Sequence, residues 1–455
     1  MEITEFQSDD QVVNQFPNRL EKFVSSFNIA TLLNRSRIRK SKGHCAKNIF
    51  LALFSIPFSG KDFFHGLVNS NDSPFGKDAI YEFLKCETFN WRKLLLCLAV
   101  KLVAFFENLT NKDREKVLII DDSTLSRPRS KMVELLARVF DHSENKFLKG
   151  YRLLTACWSD GASFLPLDFA LLSSANKKNR LQGITKNLDK RSCGYKRRLE
   201  AQSKAPDLLE PMISRILSLG VKARYLLMDS WFAFPKTIAA LSKHIHIVCM
   251  IKKTSKVLYH FQGKRYTVHG LYRLLKKRPG RAKILASTLV TLKYGQQAKI
   301  VFVRDRRKKD WLALLTTDTQ LPDEEVVRIY GKRWDIEVFF KMTKQHLGLE
   351  KSIQTRDFDS QIAYTTIVMV RYMFLALEQR RQDDPRTFGA LFRACCEEMR
   401  DLSFMEALQR ILELTVDKLR KSGEMAEEIY RTLISAIYGT AIEFFGLNRQ
   451  LCQRS

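Results

Sequence analysis

One stretch of the sequence combines hydroxyl, cationic and carboxylate side chains at helical spacing. Its members are Tyr330, Arg333, Glu337 and Lys344. They follow residues 321–325, where a proline precedes three acids, as is typical of a helix start. At about 100° per residue the four side chains share one arc of about 60° over four turns. The spacing predicts one continuous helix that presents a carboxylate among cations to a cleft, and surface ion pairs are the simpler alternative.

Further carboxylates follow two apolar runs that predict buried strands. Residues 117–120 lead into Asp121 and Asp122, and residues 225–228 lead into Asp229. A strand-end aspartate often caps a turn or a helix, so none of these acids indicates catalysis by itself. In α/β sheets, however, ligands bind at the carboxyl ends of strands. With Glu337, the aspartates form a set of hard oxygen ligands suited to Mg²⁺ or Mn²⁺.

Three segments carry a resemblance to a known family. They are Asp-Asp-Ser-Thr at 121–124, Asp-Ser-Trp-Phe at 229–232 and the spacing Tyr-x2-Arg-x3-Glu-x6-Lys at 330–344. Together they resemble the insertion-sequence-4 family of DDE transposases, over the region from the Asp122 strand to about residue 350. The resemblance implies that Asp122, Asp229 and Glu337 are the catalytic, metal-binding acids. Asp121 is the alternative to Asp122, and neighbouring residues on a strand face opposite sides.

The resemblance also implies a fold, cofactors and partners. The fold is α/β, with an RNase H-like catalytic core and a β-strand insertion. The cofactors are two Mg²⁺ ions, for which Mn²⁺ can substitute, and the partners are double-stranded DNA at the terminal inverted repeats and at the target. Tyr330, Arg333 and Lys344 are expected to hold phosphates near the cleaved end. Trp231 and Trp311 are candidates to stack on a flipped base, and a core role is the alternative for each.

Charge supports a polyanionic partner. The chain has 77 Lys+Arg against 49 Asp+Glu, a formal net charge of +28, which favours nucleic acid first and an anionic membrane second. Ten basic residues stand against two acids in residues 174–204. They include Lys196, Arg197 and Arg198, which are predicted to contact the DNA backbone, with a solvated basic loop as the alternative. Nine cysteines show no spacing typical of a metal site.

The coarse pattern of helices and strands divides the chain into regions. We expect a helical, terminal-repeat DNA-binding domain. It contains a possible helix-turn-helix, with helices at residues 61–69 and 77–85 joined by residues 70–76, and an ordinary helical hairpin is the alternative. A catalytic core interrupted by a β-rich insertion follows, and then a helical region that is expected to mediate dimerisation. The DNA-binding domain is residues 1–110, the catalytic core is 111–251 and 319–360, the insertion is 252–318, and the carboxyl-terminal region is 361–455.

Several functions stay open on the sequence alone. The first is a cut-and-paste transposase that acts as a homodimer on paired DNA ends. The second is a metal-dependent nuclease on the same fold, and the third is a DNA-binding protein without catalysis. The presence of all three acids favours an enzyme. A membrane-surface role ranks last because the basic residues do not lie on one amphipathic helix. The apolar stretches are short or interrupted by Arg371, so they predict buried helices and no membrane span. The amino terminus lacks secretory-signal features, and together with the family resemblance this implies a cytoplasmic, nucleoid-associated protein of a prokaryotic cell.

Overall fold

The computed structural model describes most of the chain. The described residues are 16–61, 63–68, 75–110, 114–141, 144–305, 310–350, 355–381 and 386–400, with a few positions beyond 400. The loop of the predicted helix-turn-helix falls mostly on residues 69–74, outside the described part. Most of residues 401–455, a large part of the helical region expected to mediate dimerisation, also lies outside it.

Helices fill the described part of the chain before the first strand, as predicted. They are α1 (Phe16–Ser26), α2 (Ile29–Arg35), α3 (Ala46–Ser55), α4 (Lys77–Leu84) and α5 (Trp91–Leu109). The side chain of Asn90 accepts a hydrogen bond from the Lys93 amide and so caps the start of α5. The helix expected at residues 61–69 is instead a π-helical turn, Phe64–Val68. The apolar faces of these helices join the same hydrophobic core as the sheet.

A single mixed sheet forms the centre of the molecule. Its strands are β1 (Val117–Ser126), β2 (Ala137–Asp141), β3 (Lys146–Ser159), β4 (Phe164–Leu172), β5 (Tyr225–Met228), β6 (His246–Met250), β7 (Tyr259–Phe261), β8 (Lys264–Tyr266), β9 (Ile284–Thr291), β10 (Gln297–Asp305) and β11 (Asp310–Thr316). Strands β1, β5 and β6 are parallel neighbours, while β3 runs antiparallel between β1 and β4. This mixed sheet flanked by helices is the expected α/β fold with an RNase H-like core.

The strands between β6 and the Glu337 helix extend the same sheet. Strand β11 pairs antiparallel with β6, and the order continues outward as β10, β9, β7 and β8. A short helix, α9 (Val268–Leu274), follows β8. The insertion is therefore β-rich and hydrogen-bonded to the core, and the domain boundaries drawn on the sequence stay a prediction.

The remaining helices cover the sheet and its ends. They are α6 (Cys193–Ala201), α7 (Ala205–Ser218), α8 (Pro235–Leu241), α10 (Asp323–Gly331), α11 (Asp335–Gln345) and α12 (Phe358–Arg381). The prediction of one continuous helix through Tyr330 and Glu337 is wrong, because the 3₁₀ turn Lys332–Trp334 separates α10 from α11. Two features favour the break. Gly331 is a poor helix former, and Ser159 donates a hydrogen bond of 3.0 Å to the Asp335 carboxylate where α11 begins.

Helix α12 runs through the core. Among the described residues it is the one helix long and apolar enough to cross a membrane, yet its apolar window is entirely buried inside the protein. Arg371, which interrupts the apolar run, is fully buried. Its guanidinium donates hydrogen bonds to the backbone carbonyls of Leu53, Phe54 and Leu347. These bonds offset the cost of burying the charge and tie α12 to the amino-terminal helices, so the expectation of a buried helix is confirmed.

Candidate active site

The parallel pairing of β1 and β5 brings two aspartates to one edge of the sheet. In the β1–β5 register Ile120 and Met228 form the last pair, so Asp121 and Asp229 each directly follow that pair, while β1 itself continues along β3 to Ser126. The 3₁₀ turn and α11 bring Arg333 and Glu337 to the same edge. Three elements far apart in sequence therefore converge at the carboxyl ends of parallel strands, where ligands bind in α/β sheets.

Arg333 lies at the centre of this group. Its Nη1 atom donates a hydrogen bond of 2.6 Å to Asp121 Oδ2 and lies 3.4 Å from Glu337 Oε1. Burial lowers the pKa of Arg333, but the surrounding Tyr330, Asp121, Asp229 and Glu337 oxygens raise it more, so that the net shift is upward. The guanidinium thus neutralises the carboxylates of the strand tips and of α11.

The two neighbouring aspartates of β1 face opposite sides of the sheet. Asp122 Oδ2 lies 3.0 Å from Arg152 Nε, and Arg152 pairs with Thr124 in the β1–β3 register, two residues further on the same face. Asp121 faces the other way, toward Arg333 and Glu337. The structure therefore brings Asp121 to Glu337, and the expectation that the Asp122 carboxylate joins them is corrected. Side chains alternate along a strand, so a shift of one residue reverses the face.

Burial makes the Asp121 carboxyl unusually basic. Desolvation raises its pKa to about 7, Arg333 opposes this shift, and the negative charges of Asp122 and Glu337 add to it. A cation bound near a carboxyl with such a pKa, next to other acids, stabilises its ionised form. Among the described residues, no three Asp, Glu, His or Cys side chains form a closed metal-binding group. The oxygen ligands suit a divalent ion, but they are arranged around Arg333.

The other residues of the predicted signature lie at different depths. The Tyr330 ring is 5.9 Å from the Arg333 guanidinium, and its buried hydroxyl has no hydrogen-bond partner in the described part of the chain. Lys344 lies near the end of α11 and pairs with Glu350 at 3.3 Å. Tyr330 therefore lies with the acids. Lys344 does not, because its partner Glu350 also accepts a hydrogen bond from the amide of Ser126, the last residue of β1.

The basic segment after β4 contains both buried and exposed cations. Arg198 is 1% exposed and forms ion pairs with Glu134 and Asp359 at 2.8 and 2.9 Å. Arg197 is also buried and donates a hydrogen bond to the Phe169 carbonyl. The prediction that these two arginines contact DNA is wrong, because both are enclosed in the protein. Lys196 is exposed, so its contact with the DNA backbone stays a prediction.

The tryptophans near the site differ in accessibility. Trp231 is half-buried, with Lys252 Nζ 4.1 Å from its ring centroid and the Arg152 guanidinium 5.6 Å away. Trp311, the second stacking candidate suggested by the sequence, is buried against Tyr272 with its ring stacked at 4.5 Å. Sequence reasoning missed Trp334, which is 64% exposed and follows Arg333 directly. Its only sequence signal was an aromatic residue inside a charged stretch.

Comparison with known protein families identifies one that matches the chain. A family model described as "DDE superfamily endonuclease" matches residues 66–309, more than half of the 455-residue chain. The matched range includes Asp121, Asp122 and Asp229 and ends before Glu337.

Among curated proteins, no match was found. Among solved structures, the Drosophila P element transposase strand transfer complex aligns at 11% identity and a TM-score of 0.18, over 56% of this chain and 55% of that chain. The chain thus spans about half of that protein, and a likeness this weak decides nothing about function. By the family match and the site at the strand ends, the chain belongs to the DDE superfamily endonucleases.

Proposed function

We propose that the protein is a DNA transposase of the insertion-sequence-4 type. It cleaves phosphodiester bonds at the ends of a transposon and joins the freed ends to target DNA. One observation carries the proposal: in a member of the DDE superfamily endonucleases, Arg333 bridges the carboxylates of Asp121 and Glu337 beside the strand that ends at Asp229. This arrangement follows the resemblance seen in the sequence, with Asp121 in the place first given to Asp122.

The three acids have the chemistry needed to hold divalent cations. Asp121, Asp229 and Glu337 offer only carboxylate oxygens, which suit two Mg²⁺ ions or, in their place, Mn²⁺. When bound, such ions activate an attacking oxygen and stabilise a leaving one. The raised pKa of Asp121, caused first by burial and then by the neighbouring acids, supports this role, since a bound cation stabilises the charged form of such a carboxylate. Arg333, which pairs with Asp121 and Glu337, lies close enough to these acids for its guanidinium to bind a phosphate of the substrate.

The remaining assignments complete the proposal. Tyr330, Lys344 and Lys196 contact the DNA backbone, and the exposed ring of Trp334 joins Trp231 as a surface on which an unpaired base can stack. Residues 1–110 bind the terminal inverted repeats, and residues 361–455 hold the homodimer on paired ends. The enzyme works on the chromosome of a prokaryotic cell, in the cytoplasm.

A metal-dependent nuclease that cuts without joining is the second candidate. It is supported by the family description, which names an endonuclease. Its active site would be the same, so the two candidates differ only in whether a 3′-OH end is joined to a second DNA.

The test uses the purified protein and labelled DNA that carries the terminal repeats flanking its gene. With Mg²⁺ or Mn²⁺ we expect strand cleavage at the repeat boundary, followed by joining to a supercoiled target plasmid. Glu337→Gln should bind the DNA but not cut it. Glu325→Gln is the matched control, because Glu325 lies on α10 and pairs with Arg328 on the surface. Cleavage without joining would support the nuclease, and boundary binding without cleavage by the wild-type protein would overturn both candidates.

A further inference from the structure

The segment from 252 to 304 contains no acidic residue. In its 53 residues there are 14 Lys and Arg, which supply half of the formal net charge of +28 carried by all 455 residues. A stretch of this length in an average protein contains several acids, because charged residues make up about a quarter of the composition. The segment corresponds to most of the β-rich insertion, from the end of β6 through α9 to the end of β10.

Few of these cations are neutralised by the rest of the protein. Acids from outside the segment pair with three of them: Lys253 with Asp310, Arg278 with Asp323 and Glu324, and Lys299 with Asp323. Others are exposed and form no ion pair with any described residue. Among these, Arg304 donates hydrogen bonds to the Ala282 and Gly280 carbonyls. The others, which we call the insertion cations, are Lys252, Lys256, Lys264, Arg265, Arg273, Lys276, Arg281, Lys283 and Lys293.

The insertion cations begin at the edge of the sheet that carries the acids. The chain leaves β6 at Lys252, whose Nζ lies over the ring of Trp231, two residues after Asp229. The hairpin of β7 and β8 pairs with β9 at the outer end of the sheet. The insertion cations therefore extend from the catalytic edge, at Lys252, outward to Lys264 and Arg265.

We infer that the insertion cations form a second DNA-binding surface, which extends outward from the catalytic edge and holds the phosphate backbone of the duplex without regard to base sequence. Exposed, unpaired Lys and Arg on strands, turns and a short helix suit a phosphate backbone, which needs cations but no fixed side-chain geometry. An anionic membrane fits less well, because the cations are not collected on one amphipathic helix. The inference rests on the proposed function and adds where the DNA lies on the protein.

The test compares two double variants with equal loss of charge. Lys256→Gln/Lys264→Gln removes two insertion cations. The matched control, Lys222→Gln/Lys243→Gln, removes two exposed lysines that precede β5 and β6, at the opposite edge of the sheet. Binding to two duplexes of unrelated sequence is measured from 50 to 200 mM salt, in EDTA so that no cleavage occurs. Thermal unfolding confirms that both variants fold.

We expect Lys256→Gln/Lys264→Gln to lower the slope of log K against log salt by about 0.9 per lost phosphate contact, close to 2 for both, and to weaken binding of the two duplexes equally. The control should keep the wild-type slope. An unchanged slope in the first variant, an equal loss in the control, or tighter binding to anionic phospholipid vesicles than to DNA would overturn the inference. Because no metal is present, a changed slope stands even if the protein proves unable to cleave DNA.

Discussion

Replacing Asp121 by asparagine should stabilise the metal-free protein while abolishing cleavage. The carboxyl is largely buried on β1, just beyond the part of that strand that pairs with β5, and burial raises its pKa to about 7 from an ordinary value of 3.8. The folded protein therefore binds a proton at this site more tightly than the unfolded chain does. The free energy of unfolding gained from this group is complete below about pH 4 and is lost as the pH rises through about 7.

The magnitude follows from the shift. About three pKa units at about 1.4 kcal/mol each give a loss of up to about 4 kcal/mol between pH 4 and pH 8. Asparagine does not ionise, so Asp121→Asn keeps the stability that the wild-type protein loses. At pH 8 without metal, the variant should therefore be more stable than the wild-type protein by as much as about 4 kcal/mol.

Urea unfolding in EDTA at several pH values from 4 to 8 measures this difference. Asp122→Asn provides the contrast, because it breaks the 3.0 Å ion pair with the largely buried Arg152 and should destabilise the protein by roughly 1–3 kcal/mol. Only Asp121→Asn should remove the pH-dependent loss, and it should also remove metal-dependent cleavage. If Asp121→Asn is less stable than the wild-type protein at pH 8, or if both proteins follow the same pH curve, the reasoning from burial is refuted.

Further predictions concern the packing and the surface. Arg198→Met leaves Glu134 and Asp359 as buried acids without their arginine, so it should lower the free energy of unfolding in urea by on the order of 3–5 kcal/mol. The exposed Lys196→Gln should change that free energy by no more than about 0.5 kcal/mol. Similar losses of stability in both variants would contradict the burial of Arg198. Gly150→Ala places a Cβ closer to the Leu125 carbonyl oxygen than van der Waals contact allows. The variant should therefore lose about 3 kcal/mol or more of its free energy of unfolding and unfold at a lower temperature. If the variant is as stable as the wild-type protein, β1 and β3 can move apart at this position without cost. Trp334→Ala should leave the unfolding temperature unchanged, since the ring is 64% exposed, but weaken binding to single-stranded DNA by about 1–3 kcal/mol per stacked base, and unchanged binding would exclude stacking at this residue.

Local sequence patterns predicted much of the framework. Apolar runs that end in acids indicated β1 and β5, because a strand buried on both faces needs continuous hydrophobic side chains. A turn signal at residues 159–161 between two apolar segments predicts an antiparallel pair of strands, and β3 and β4 form that pair. The spacing around Glu337 located the third acid of the site, since it depends on residues close together in the chain.

Only the tertiary structure decided which side chains meet. The sequence left Asp121 and Asp122 as alternatives because both follow the same apolar run, and the pairing of β1 with β3 determines which face each side chain takes. It could not separate Lys196 from Arg198, because their depth depends on Glu134 and Asp359, distant in sequence. Local patterns in the sequence predicted the strands and the acids that follow them. Burial and ion pairing instead depend on contacts between distant segments, which form only when the chain folds.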